Sequence, residues 1–166
     1  DKATGRAEYG HDVHLPGMLV GKIKYARVPH ARIVSIDVSR AKKLPGVKAV
    51  ITGADNPTRK FGYGMDNTPI KGDKVRCYRD EVAAVAAIDE DTAEQALDLI
   101  TVEYAELPPL FDPASALAPG APLIHEDKTS NLFTRYDYSH GDGERAFDAK
   151  HADVVVEGDY DLPYVT

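Results

Sequence analysis

Cysteine is nearly absent: Cys77 is the only one in 166 residues. A lone thiol closes no intramolecular disulfide and falls far short of the thiolate set of an iron–sulfur cluster, so a reducing compartment is expected. Long apolar runs are missing too. None approaches the ~20 residues that cross a bilayer, and Asp1-Lys2-Ala3-Thr4-Gly5 has no signal-peptide core, so no membrane association and a cytoplasmic location are expected. Basic charge is the third shortage. Lys and Arg number 20 against 27 Asp and Glu, a net charge of −7. With the two signs interspersed there is no basic stripe to neutralise a phosphate backbone, and nucleic acid is not an expected partner.

What is present suits a folded domain. Hydrophobic residues make up 43% and charged residues 28%, well away from disordered compositions, and the length fits one domain with a tail. The chain opens without Met and stops at Leu162-Pro163-Tyr164-Val165-Thr166, so a piece of a longer protein is expected.

Residues 19–25 and 33–38 are β-rich and partly alternating, which predicts two strands. Pro29 between them turns the chain. Ser39 is placed to cap a short helix over residues 40–44, ended by Pro45-Gly46 before a strand at 47–52. Residues 53–73, rich in Gly, Asn, Pro and Asp, predict a long surface loop. Val82-Ala83-Ala84-Val85-Ala86-Ala87-Ile88 is an unbroken apolar run, as in a central strand covered on both faces. Asp91 and Glu94 have capping-box spacing, and Ala93, Leu97 and Ile100 share one face of a helix of roughly ten residues. That helix feeds a strand from Thr101 to Tyr104. After Leu107-Pro108-Pro109 come a helical turn over 112–117 and a linker. Strands are then expected at 132–139 and 154–160, with a short helix from Gly141-Asp142 to Phe147 between them, and the last strand is expected to pair in a neighbouring domain.

No group reads as catalytic. His11 and His14 flank Asp12, but Gly10 and Pro16-Gly17 make the stretch extended, so solvated loop histidines are expected rather than a metal site. His125-Glu126-Asp127 cannot converge on one ion from a strand, where neighbours point to opposite faces. Gly62-Tyr63-Gly64 lacks the strand and helix of a phosphate cradle, and in Gly141-Asp142-Gly143 the aspartate reads as a helix cap. Arg76 and Arg79 could lower the pKa of Cys77, yet no histidine adjoins it in sequence, and a bystander thiol is expected. The carboxylates are spread through caps, turns and solvent faces. Tyr25, Tyr104 and Tyr160 occupy strand positions and are expected to pack.

The order of the blocks is more specific than any one of them. Thr4-Gly5-Arg6-Ala7-Glu8-Tyr9-Gly10-His11-Asp12 resembles the opening motif of the molybdenum hydroxylase large subunit, the xanthine dehydrogenase and aldehyde oxidase family. Leu19-Val20-Gly21-Lys22-Ile23, Arg27 with Pro29-His30-Ala31-Arg32-Ile33, and Leu44-Pro45-Gly46-Val47 with Ala49-Val50-Ile51-Thr52-Gly53-Ala54-Asp55 resemble successive family blocks. Val82 to Ala87, Val102-Glu103-Tyr104, Gly141-Asp142 with Ala146-Phe147, and Ala152-Asp153-Val154-Val155-Val156-Glu157-Gly158 continue the match. Two departures stand out: the segment from Arg27 to Arg32 is two residues shorter than the family loop, and Arg79 replaces an expected glycine, leaving no residue tolerant of positive φ at that turn.

The resemblance implies an α+β fold, the α/β-hammerhead, with a mixed sheet and two main helices over residues 1–115. Residues 116–166 would be a linker and the start of a bridge into domains that bind the molybdenum–pterin cofactor. The parent subunit would belong to an oligomeric oxidoreductase with 2Fe-2S clusters and often FAD, in domains or subunits that this chain meets. It would hydroxylate an aldehyde or aromatic substrate, or reductively dehydroxylate an aromatic thioester as hydroxybenzoyl-CoA reductase does. The pterin motifs, the catalytic glutamate and the substrate funnel would lie beyond Thr166. No catalytic, cofactor-binding or metal residue is therefore assigned here, and the isolated fragment is expected to be inactive. An autonomous, non-catalytic binding module is the competing expectation.

Overall fold

The computed structural model describes residues 1–55, 59–148 and 150–160. Part of the expected 53–73 loop and the terminal stretch 161–166 lie outside the described residues. The chain divides after Asn131 into two units, the second starting at Leu132.

Among its described residues the first unit holds six strands: β1 (Val20–Tyr25), β2 (Ala31–Asp37), β3 (Val47–Thr52), β4 (Lys74–Val75), β5 (Glu81–Ala87) and β6 (Thr101–Glu106). They form two three-stranded sheets, ordered β1-β5-β3 and β4-β2-β6. Every pairing is antiparallel. The α+β class holds, while the expected single mixed sheet is instead two antiparallel ones. β5 is central, as its unbroken apolar run implies, with Ile23, Ala84 and Ile51 in one row across the first sheet.

Two main helices, α1 (Ser39–Lys43) and α2 (Glu90–Leu99), belong to this unit, and α2 packs on all three strands of the first sheet. The small side chains of β5 allow close approach. Ala93 and Ala96 of α2 are fully buried against Ala83, Val85 and Ala87, with Ala41, Val50 and Ile100 completing the core. A second cluster, Ala26, Ala31, Val75 and Val82, links β5 to the other sheet beneath Ile33 and Tyr104. Burying each of these valines contributes roughly 1.5–3 kcal/mol.

Both expected caps move. Asp89, extended at φ −151°, caps α2 by accepting from Thr92 N at 2.7 Å, so Asp91 lies inside the first turn. Ser39 is the first residue of α1, and its N–H is taken by Asp37 Oδ1 at 2.8 Å. In each case an aspartate just upstream reaches the orphan N–H groups first. Asp112 caps α3 (Pro113–Leu117), with Pro113 in the first turn. Gly53 and Gly72 cross so closely that a Cβ on Gly53 would run into the Gly72 backbone, and this crossing fixes where Lys71 enters the fold.

Residues 116–131 are tied down. Asn131 donates to the carbonyls of Ala116 and Pro122 and accepts from Ile124 N. Lys74 Nζ and Arg76 Nε donate to Ile124 O.

The second unit contains α4 (Gly143–Phe147), capped by Asp142. The strands expected at 132–139 and 154–160 do not form. Both stretches have the β-branched and aromatic residues that strands favour, but a strand needs a neighbour to satisfy its backbone, and none of the described residues of this unit provides one. Tyr160, expected to pack in a strand, is 93% exposed.

Candidate functional site

A cavity of about 370 Å³ is gathered from three separated stretches: the 53–73 loop, the turn following β4, and His125. The Gly53–Gly72 crossing delivers Lys71, and the turn at 77–80 delivers Cys77 and Asp80 just before β5. Lys71 is buried, with Nζ donating to Thr68 O at 2.9 Å and Glu81 Oε2 at 3.1 Å and lying 3.6 Å from Asp80 Oδ1. Asp80, also buried, accepts from Arg76 N at 2.6 Å and Cys77 N at 3.2 Å. The buried cation and anion compensate each other, and backbone N–H groups satisfy the remaining carboxylate lone pairs, the condition under which such a pair is tolerated.

Cys77 is the one nucleophile candidate, and its surroundings disarm it. Its Sγ is 3.4 Å from Asp80 Oδ1, which accepts from the thiol. Partial burial at the cavity rim, then the Asp80 charge, push the thiol pKa up to about 11. Arg76 and Arg79, the two cations beside it in sequence, make other contacts, in keeping with the bystander thiol expected there. Arg76 Nε donates to Ile124 O, and the Arg79 guanidinium lies 5.2 Å above the Tyr25 ring. A thiol held protonated by an adjacent carboxylate is inert at neutral pH.

His125 shares the cavity with Cys77, a proximity that sequence spacing could not reveal. Its Nε2 is 3.6 Å from Asp66 Oδ2, while burial and the Arg76 charge hold its pKa below the usual histidine value. The thiol donates to Asp80, so the pieces are not arranged as nucleophile, base and orienting group.

The other sequence candidates disperse. His125, Glu126 and Asp127 point at different partners: Asp66, the Arg32–Lys74 pair, and Lys128. His11 is exposed, stacks on Tyr9 and sits 3.5 Å from Asp12, within a 3-10 turn over Gly10–Asp12. His14 is exposed. Gly62 turns at φ +88° within a bridge between Phe61 and Asn67, with no helix following. Among the described residues, no group of three or more His, Cys, Asp or Glu is placed to hold a metal ion.

Two features escaped the sequence. His30 is buried; its Nδ1–H donates to Pro108 O at 2.7 Å, and among the described residues its buried Nε2 has no hydrogen-bond partner. Arg79 adopts φ +74° despite having a side chain. The turn is therefore kept rather than lost, clamped by Arg79 N donating to Ala26 O and Ala26 N to Asp80 O. The left-handed conformation costs roughly 1–2 kcal/mol in an L residue, and the stack on Tyr25 returns about 0.5–1 kcal/mol, so a small strain remains.

Comparison with known proteins places this geometry. The profile of the aldehyde oxidase and xanthine dehydrogenase a/b hammerhead domain matches residues 4–108. A probable xanthine dehydrogenase component from Bacillus subtilis is 44% identical over 98% of this chain and 22% of its own length. The nicotinate dehydrogenase large molybdopterin subunit of Eubacterium barkeri is 39% identical over the whole chain and 39% of its own length. Among solved structures, CO dehydrogenase from Oligotropha carboxidovorans superposes with a TM-score of 0.67 at 41% identity, covering 74% of this chain and 16% of that one. The chain thus spans well under half the length of these relatives.

Proposed function

This chain belongs to the aldehyde oxidase and xanthine dehydrogenase family as its α/β-hammerhead domain, and from that premise we propose that it is a structural and interaction domain of the molybdenum-binding subunit of an oxidoreductase. The observation that carries the reading is the match of residues 4–108 to that one domain, together with 44% identity over nearly the entire chain to a relative several times longer. On this reading residues 1–115 are the hammerhead domain. Residues 116–166 connect it to the domains that hold the molybdenum–pterin cofactor in the parent subunit, with iron–sulfur and flavin modules as further partners.

On this reading no residue of this chain is assigned to that cofactor. The single thiol is held protonated by Asp80, and no other soft donor set is assembled around it. A metal-bound thiolate must be deprotonated, so Cys77 is poorly suited to ligate molybdenum or iron. The proposed role is accordingly positional: a small rigid body built on β5 and α2, presenting its surfaces to the rest of the subunit. The parent would hydroxylate an aldehyde or an aromatic heterocycle, or run the reverse type of reduction on an aromatic thioester.

Sequencing the gene past Thr166 and assaying the natural gene product for molybdenum tests the proposal. The expected result is an open reading frame encoding the remainder of a large subunit, and a purified protein carrying molybdenum in stoichiometric amount. A stop codon at Thr166, or a natural product free of molybdenum under conditions that load other molybdenum enzymes of the same cell, would overturn it. The isolated 1–166 chain is expected to show no visible absorption from iron–sulfur or flavin.

A further inference from the structure

A second cavity, about 290 Å³, takes Tyr78 and Arg79 from the same turn whose Cys77 and Asp80 line the first, and is framed by the end of β1 and the last turn of α2. Its charges do not cancel locally. Lys24 is spent on the helix end, donating to Leu97 O at 2.9 Å, and Asp98 is the one carboxylate lining the cavity. Arg27 and Arg79 are both exposed, and among the described residues neither guanidinium has an ion-pair or hydrogen-bond partner. In a chain of net charge −7, two guanidiniums without a carboxylate partner at one groove, one of them stacked on Tyr25, are a local reversal of sign.

The groove also has the side chains that anchor interfaces. Tyr78 is 55% exposed beside Arg79, and Tyr25 lies beneath the Arg79 guanidinium. Stacking leaves all the N–H groups of Arg79 in the ring-parallel plane free to form a bidentate pair with a carboxylate. Tyrosine and arginine together are among the residues most enriched at the energetic centres of protein interfaces. Arg79 achieves this placement from φ +74°, a conformation that a glycine would hold more easily. A strained residue whose guanidinium has no ion-pair or hydrogen-bond partner among the described residues points to a use for that side chain.

We propose that this groove is a docking site for an acidic segment of a partner polypeptide, whose carboxylate is gripped by Arg79 and Arg27 against the Tyr25 and Tyr78 rings. The choice of a carboxylate-bearing peptide follows from charge complementarity and from the aromatic walls, which suit the apolar stem of a Glu or the backbone around it. The groove stands independently of the redox role proposed above.

A fluorescently labelled hexaglutamate peptide, titrated with the full 1–166 chain and followed by anisotropy, tests it. The peptide is expected to bind, with affinity falling as salt rises. Arg79→Gly is expected to weaken binding about tenfold or more while the thermal midpoint holds or rises, since glycine takes this φ freely. Arg27→Gln, which leaves the turn untouched, should weaken it by a smaller factor. The proposal is overturned if the wild-type chain does not bind the peptide, if both substitutions leave affinity unchanged, or if Arg79→Gly lowers the midpoint as the stack alone would require. Displacement of the peptide by succinate at equal carboxylate concentration would overturn the assignment to a polypeptide.

Discussion

The first 131 residues and the stretch from Leu132 onward both contain β-prone, valine-rich sequence, and only the former turns it into sheet. Val82 and Val85 in β5 are 0% and 2% exposed, whereas Val154 and Val156 are 78% and 83% exposed in a segment without strand structure. The second run is the richer in valine, three in a row at 154–156 against two among the alanines of 82–87. What differs is that β5 has β1 on one side, β3 on the other and α2 across its face, while 154–156 has no strand partner among the described residues of its own unit. Burial here is a property of the neighbours a segment finds, and propensity alone does not confer it.

The most forceful way to break that comparison is to place the same charge in both valine runs. Val85→Asp buries an unpaired carboxylate beside Ala93 and Ala96, costs on the order of 4 kcal/mol or more, and is expected to abolish the cooperative thermal transition. Val155→Asp, made in the second unit, is expected to change the midpoint by no more than about 0.5 kcal/mol equivalent. Circular dichroism melts of the two variants decide it; equal effects would mean the second unit is as tightly built as the first.

A smaller effect is expected at the polar heart of the first unit. Lys71→Met removes the cation facing buried Asp80 and leaves that carboxylate to its two backbone donors and the Cys77 thiol. The loss is about 3 kcal/mol, read from urea denaturation, because breaking a buried pair strands the remaining charge. Glu126, itself half exposed, bridges the exposed Arg32 and the buried Lys74 Nζ; Glu126→Gln, which keeps an acceptor oxygen for that buried cation beside the Ile124 carbonyl it already uses, should cost less.

A more modest loss than that of Lys71→Met is expected at the helix cap. Asp89→Ala lowers the midpoint by less than Lys71→Met, since it removes one cap from an exposed helix end. The Thr92 side chain and backbone N–H hold the Asp89 carboxyl below its ordinary value of 3.8. A depressed folded-state pKa stabilises above the unfolded value and is lost as pH falls through the folded one. The gap between wild type and Asp89→Ala is therefore full at neutral pH and closes below pH 3.8. A gap that stayed constant through that range would show that Asp89 does not act through its charge.

The elements built from local pattern were legible in the sequence. The strand at 47–52, the central place of residues 82–87, the ten-residue length of α2 and the helical turn after Asp112 each follow from a window of a dozen residues or fewer. The cap of α2 falls two positions upstream of the expected one because Asp89 and Asp91 are chemically equal, and only the extended backbone at Asp89 separates them. The split into two sheets was hidden, since β2 and β3 are neighbours in sequence yet belong to different sheets. The cavity around Asp80 was hidden for a related reason: Lys71, Cys77 and His125 meet through a glycine crossing and a loop return. One clue was present, Asp80-Glu81 immediately before an apolar strand, where buried carboxylates would need a cation. Arg79 shows the limit of reading conformation from residue type, because a backbone hydrogen bond to Ala26 and another from Ala26 to Asp80 hold a positive φ that the side chain alone would disfavour.

The order β1-β5-β3 also carries a consequence for synthesis. On a ribosome, β1 emerges first and β3 soon after, but each finds its ladder partner only in β5, whose first residue, Glu81, follows the last residue of β1, Tyr25, by more than fifty positions. At about 5–20 residues per second, β1 waits on the order of 3–10 s and β3 about half as long, with Ile23 and Ile51 unpaired in the crowded cell. A slow stretch of codons between Thr52 and Glu81 would lengthen that exposure. The yield of this domain is therefore expected to depend on translation speed there more than anywhere else in the chain.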